Sequence, residues 1–273
     1  MKAKIHWKMG QVKEGNKIFW LAHSINPTHP EVKEFIAIIK PKAVACYEKA
    51  MFSMLEGNLD DALVTAARGI EIYPKLSKLY LLRATVWRKK FDYGKAIDDL
   101  EEASKWMEDD GVDNEVKIQI GITYNEIGLI LMKTKKLDGA LNVFNEALKY
   151  IPADYGVHVN RGDVYRDMGN INLALSDYHY AIDLGAPQAS VQHRLAIVHY
   201  MQGIQCFNMR DYNGALIEFS RAIEANPCPE YYKKRIMCNE QLRKVSEMIT
   251  DLRMLSTIDK ADQWAKAYLQ KLV

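Results

Sequence analysis

Slid along itself by 34 residues, the sequence meets its own image between Gly121 and Gln188. Gly128 coincides with Gly162, Leu131 with Tyr165, Leu137 with Ile171, Ala140 with Ala174, Phe144 with Tyr178 and Ala147 with Ala181. A fixed period of this length, with small residues at set places among large apolar ones, predicts a helix–turn–helix unit repeated in series. Two antiparallel helices cross closely only where side chains are small. Gly128 and Ala140 supply that gap within one unit, and Ala147 supplies it against the next. Tyr124, Leu131 and Phe144 fill the space around the crossing. Gly169 suits the turn, where a left-handed backbone is cheap for glycine. Pro152 stops a second helix, because it lacks the N–H that would continue the ladder.

The same frame extends in both directions. Its second small positions are Gly15, Ala62, Ala96, Ala140, Ala174 and Ala215. Two of the intervals, Ala62 to Ala96 and Ala140 to Ala174, are one clean period. The others are longer by 13, 10 and 7 residues, and the extra residues carry helical stripes such as Val32, Phe35, Ile36 and Ile39. They predict lengthened first helices, the first of them kinked or broken near Pro41. The expected units are 1–29 (a partial repeat), 30–76, 77–110, 111–154, 155–187 and 188–228. Residues 229–258 are expected to form a degenerate pair and 259–273 a capping helix, its face Trp264, Ala267, Tyr268 and Leu272. Val116, Ile118 and Ile120 should join Tyr124 to Met132 in one helix. The first unit begins partway through its first helix, so Ile5, Trp7 and Phe19 are expected to lie under another chain or further repeats.

The period and residue order resemble the tetratricopeptide repeat, which implies an all-α, right-handed solenoid of stacked helix pairs. The order of long and plain first helices, with the strings TYNEIGL, VNRGDVYRDMGN, FSRAIEANP and PEYYKKR, is more particular. From about Gly10 to Asp259 it resembles the C-terminal part of the tetratricopeptide repeat protein 16 family. Members of that family are longer, with more repeats upstream. The resemblance implies a cytoplasmic, cytoskeletal protein of cilia and flagella, placed in the axoneme and without catalysis. Tubulin or microtubule-associated proteins are the partners it implies, within a large complex.

Charge and composition exclude several classes. The net charge is +2, so no global field points to nucleic acid or an acidic lipid surface. No apolar run approaches the ~20 residues of a membrane span. Cys46, Cys206, Cys228 and Cys238 form no CxxC pair and read as reduced thiols. His158, His179, His193 and His199 are scattered and read as structural or surface residues, so no catalytic, cofactor or metal site is expected. Asp109, Asp110 and Asp113 beside Gly111 lack the twelve-residue calcium pattern and read as a solvated helix start.

Recognition is therefore expected on the first helices. Spacing from the small positions selects Tyr47, Met51 and Met54; Leu81, Leu82 and Arg88; Asn125, Leu129 and Met132; Val159, Asn160 and Arg166; and Tyr200, Met201, Ile204 and Met209. This set is apolar and rich in methionine, which adapts to irregular partners. Relatives that clamp a terminal carboxylate use Lys, Asn and Arg where this chain has Tyr47, Met51, Leu82 and Glu126. The reading is a non-catalytic scaffold that binds other proteins. Its alternatives are an adaptor that reversibly binds a short peptide, and methionines that serve only as packing.

Overall fold

The computed structural model describes residues 2–106, 113–259 and 262–272. Among these the chain is all α, with no strand. The acidic stretch at Asp109, Asp110 and Gly111 lies outside the described residues, which resume at Asp113. Contacts divide the chain into two compact units, one running to Ile127 and including Lys149–Ile151, the other holding Gly128–Leu148 and Pro152 onward.

In the first unit, α1 (Lys2–Lys8) pairs with α2 (Val12–Ile25), α3 (Pro30–Leu55) with α4 (Leu59–Ile72), and α5 (Ser77–Lys89) with α6 (Tyr93–Ser104). Successive hairpins stack, α2 on α4 and α3 on α5. The first half of α7 (Asp113–Lys133) buries Val116 and Ile120 against Leu81, Ala84, Leu100 and Ala103. Val116 to Met132 is thus one unbroken helix, as the apolar stripe requires, although Ile118 faces out. The helix α3 also runs unbroken through Pro41, which removes the expected break and leaves a kink as the part of the expectation still open. Val32, Phe35 and Ile39 before the proline and Ala43 after it are all buried in one core, and that packing holds the helix together across the lost hydrogen bond.

The N-terminal side chains differ from expectation. Phe19 is buried within this chain, its ring 4.8 Å from that of Phe35. Trp7 packs edge-on to Phe35 and donates its indole N–H to Asn16. The long α3 reaches far enough to cover both; Ile5 stays half exposed.

The second unit holds α8 (Leu137–Tyr150) up to Leu148, then α9 (Tyr155–Asp167), α10 (Ile171–Asp183), α11 (Gln188–Asn208), α12 (Tyr212–Ala225), α13 (Pro229–Gln241), α14 (Val245–Ile258) and α15 (Gln263–Leu272). Each of α9 to α15 packs on the next, and α9 also meets α11. The small residues sit where crossing demands them. A methyl group added at Gly128, Gly162 or Gly203 would lie 2.5, 2.7 or 2.6 Å from the rings of Phe144, Tyr178 and Phe219. Those three aromatics are fully buried, so each glycine makes room for one ring.

The last helix is rotated from the expected face. Ala265 is its buried residue, with Tyr268 and Leu269 against the core, while Trp264 and Ala267 are exposed. The rotation is set from outside the helix. Asp262 accepts the Ala265 N–H at 3.0 Å and pairs with Lys233 of α13 at 2.7 Å.

Candidate partner-binding faces

In the first unit the structure brings five of the selected residues together. Tyr47, Met51 and Met54 of α3 and Leu81 and Leu82 of α5 line one hollow, with Lys78, Thr85, Glu115 and Gln119 at its edges. The leucines are its floor, each under one-tenth exposed, and Met51 is its rim at 37%. Tyr47 and Met51 also face an adjoining hollow with Lys40, Val44, Glu48 and Leu76. Arg88 does not line the hollow but donates to Gln119 at its edge at 2.7 Å and lies 3.7 Å from Glu126. Asn125 is half-buried on α7.

The second unit treats its selected residues differently. Leu129 is exposed and Met132 half-buried at the end of α7. Val159 belongs to the core between α9 and α11, and Met201 packs against it. Tyr200 turns inward, its ring 5.8 Å from Phe219 and 4.9 Å from Tyr231. Ile204 packs on Phe219 and Cys238, Asn160 is half-buried, and Met209 is exposed after the end of α11. Arg166 is bound by Asp163 at 2.7 Å and Asp167 at 2.8 Å. A helical stripe two residues wide touches both solvent and the neighbouring helices, so spacing alone does not separate the two.

Buried charge was not anticipated. Asp163 accepts from Arg166, Arg194 and the Tyr178 hydroxyl within one network. Burial, reinforced by Asp163, pushes the Tyr178 pKa far up, so the hydroxyl remains a donor. Arg161 makes a two-pronged pair with the buried Asp177 at 2.7 and 2.9 Å, and its third nitrogen reaches Asn145. Arg83 with Asp99 and Arg235 with Asp251 repeat the geometry, and Arg235 reaches back to Ser220. The hydrogen bond to its aspartate is the main cause that raises the pKa of Arg83 and of Arg161. The signal was present in the sequence as arginine followed 16 residues later by aspartate, a spacing that also occurs at Arg243 and Asp259.

Three of the four singled-out histidines have structural partners, and His179 is exposed. His158 lies between Asp177 and the Pro152 carbonyl, His199 meets Glu218 at 2.7 Å, and His193 meets Asn226. Among the described residues no three His, Cys, Asp or Glu side chains group as metal ligands, and no helix is long and apolar enough to cross a membrane.

Residues 122–154, the α7–α8 hairpin, match the model of the tetratricopeptide repeat. Residues 122–154 form a tetratricopeptide repeat. Tetratricopeptide repeat protein 16 of Homo sapiens is 25% identical over 224 residues, covering 81% of this chain and 26% of the relative. The protein of the same name in Mus musculus is 23% identical over 222 residues, 80% of this chain and 29% of the relative. The chain therefore spans about a quarter of the length of the curated relatives it resembles. Among solved structures, YrrB, described as a TPR protein with an unusual peptide-binding site, is 19% identical with a TM-score of 0.43, covering 73% of this chain and 94% of its own. The repeat match and the relatives support a protein-interaction scaffold.

Proposed function

We propose that this protein is a non-catalytic scaffold of the ciliary or flagellar axoneme that docks other proteins on the first-helix faces of its repeats. The observation that carries the docking face is the hollow of Tyr47, Met51, Met54, Leu81 and Leu82. It presents apolar side chains ringed by Lys78, Thr85, Glu115 and Gln119, the arrangement of a protein-binding patch with a polar rim. The axonemal placement rests on resemblance to tetratricopeptide repeat protein 16. Arg88 is tied to Gln119 and Glu126, so this face has no free guanidinium to clamp a charged peptide end.

The test is retention of tagged protein on detergent-extracted axonemes, wild type against Met51→Glu. Met51 is exposed enough that the charge should not unfold the chain, which a melting curve checks. The substitution places an unpaired charge in a dehydrated contact and should release the protein. Equal retention would show that this face is not the docking surface. A diffuse wild type washed out by detergent would reject the axonemal role and select the reversible adaptor.

A further inference from the structure

The second unit closes its hairpins in a costly way. The left-handed residue of the turn is Lys135 between α7 and α8 (φ 58°), Arg210 between α11 and α12 (φ 64°) and Arg243 between α13 and α14 (φ 58°). The α9–α10 turn uses Gly169, the residue type for which this backbone carries no strain. Long side chains are uncommon in that conformation, and strain that recurs at one place in several turns points to a use for the side chains.

All three cations are exposed. Arg210 and Arg243 pair with no carboxylate among the described residues. Lys135 reaches Asp167 at 3.4 Å with its side chain 76% exposed, a contact too loose to hold it. Lys133, Lys136 and Lys244 stand beside them, equally exposed. The helix dipoles do not account for this charge, because each turn joins the C-terminus of one helix to the N-terminus of the next and the two fields oppose. Each of α9 to α14 packs on the next, so the turns within hairpins share one edge of the unit and the connections between hairpins share the other. That other edge carries Asp154, Asp183, Glu224 and Glu230. Charge is therefore separated across the unit, with the cations gathered on the turns.

We infer that the turn edge of the second unit is a docking strip for an acidic segment of a partner polypeptide. Packed helices lie about 10 Å apart, so the four turns span roughly 30 Å, the length of about nine extended residues. Carboxylates about three residues apart then meet successive turns. Asp138, Asp167 and Asp211 stand among the cations. A phosphate chain, charged at every unit, would meet these acids, whereas a polypeptide places its carboxylates where the cations are. Met209, 74% exposed, and Val245, 47% exposed, add apolar contacts on the same edge that suit side chains. The strip is separate from the methionine face on α3; its contacts are salt-sensitive and add to that face.

The test is fluorescence anisotropy of the full chain with a labelled, end-capped peptide, Glu-Gly-Gly three times over, and its glutamine counterpart. The glutamate peptide should bind saturably at low salt and about tenfold more weakly at 0.3 M, where exposed charges are screened. The glutamine peptide should not bind. Lys135→Gly with Arg210→Gly and Arg243→Gly should weaken binding roughly tenfold or more while keeping or raising the melting temperature, which separates lost docking from lost folding. If that variant melts lower, glutamine at the three positions serves, with the same loss expected. Lys33→Gln with Lys49→Gln and Lys89→Gln removes equal charge from the first unit and should leave the affinity unchanged, as should Met51→Glu. A tetranucleotide single strand, which matches the charge of the peptide, should bind more weakly, and phosphatidylserine vesicles should not carry the chain down on centrifugation. No saturable binding of the glutamate peptide, equal losses in the two triple variants, or a preference for the tetranucleotide or the vesicles overturns the proposal.

Discussion

At the residue scale, the hairpin turns share one backbone solution with unequal residues. Each first helix ends with a left-handed residue: Gly10, Gly57, Phe91, Lys135, Gly169, Arg210 and Arg243. Four of these carry a Cβ, which crowds the following carbonyl by roughly 1–2 kcal/mol in that conformation. Lys135→Gly and Arg210→Gly are therefore each expected to stabilise the chain by about 1 kcal/mol, after the flexibility that glycine adds to the unfolded state. Thermal melting checks this, and a fall in midpoint would refute it. The opposite change belongs at the crossings. Ala140 is fully buried at a close approach, so Ala140→Leu should cost roughly 1–3 kcal/mol. An unchanged midpoint would place the crossing elsewhere.

At the element scale, hairpins are tied by buried ion pairs as well as by apolar packing. Arg161→Leu leaves Asp177 buried beside His158 without its main partner and should destabilise by about 3–5 kcal/mol. Arg161→Leu with Asp177→Leu removes both charges and should recover most of that loss, because the burial of an unpaired carboxylate is its main source. A denaturation cycle on the two single variants and the double variant measures the recovery, and strict additivity would deny the coupling. The last helix makes a pH prediction. The hydrogen bond from Lys233, with that of the Ala265 N–H, holds the Asp262 pKa below the ordinary carboxylate value. A lowered folded value means the extra stability is complete above the unfolded value of about 3.9 and disappears as pH falls through the folded one. The Ala265 methyl resonance should therefore move toward its unfolded position in acid, and Asp262→Ala should move it at neutral pH. A methyl signal unchanged by that variant would mean the cap does not hold α15.

At the scale of the whole molecule, a net charge of +2 argues that docking is by contact rather than by long-range attraction. If the scaffold reading holds, retention on axonemes should survive about 0.5 M salt, which screens exposed charges to a few ångströms; release by salt alone would point to an electrostatic tether. The all-α class, the lengthened α7 and the buried crossings at Gly128, Ala140, Gly162 and Ala174 were legible in the sequence. Each depends on the period of a helix and on the size of a side chain, and both are written locally. What fills the space between hairpins was not legible. The same apolar stripe turns Tyr200 into the core and leaves Met51 at the rim, because the neighbouring helices differ. Burial of Val32, Phe35, Ile39 and Ala43 carried α3 through Pro41, and a lysine in α13 set the rotation of α15. Local spacing determined the helices and where they could cross; only the tertiary structure decided which faces were covered, since covering depends on residues far apart in the chain.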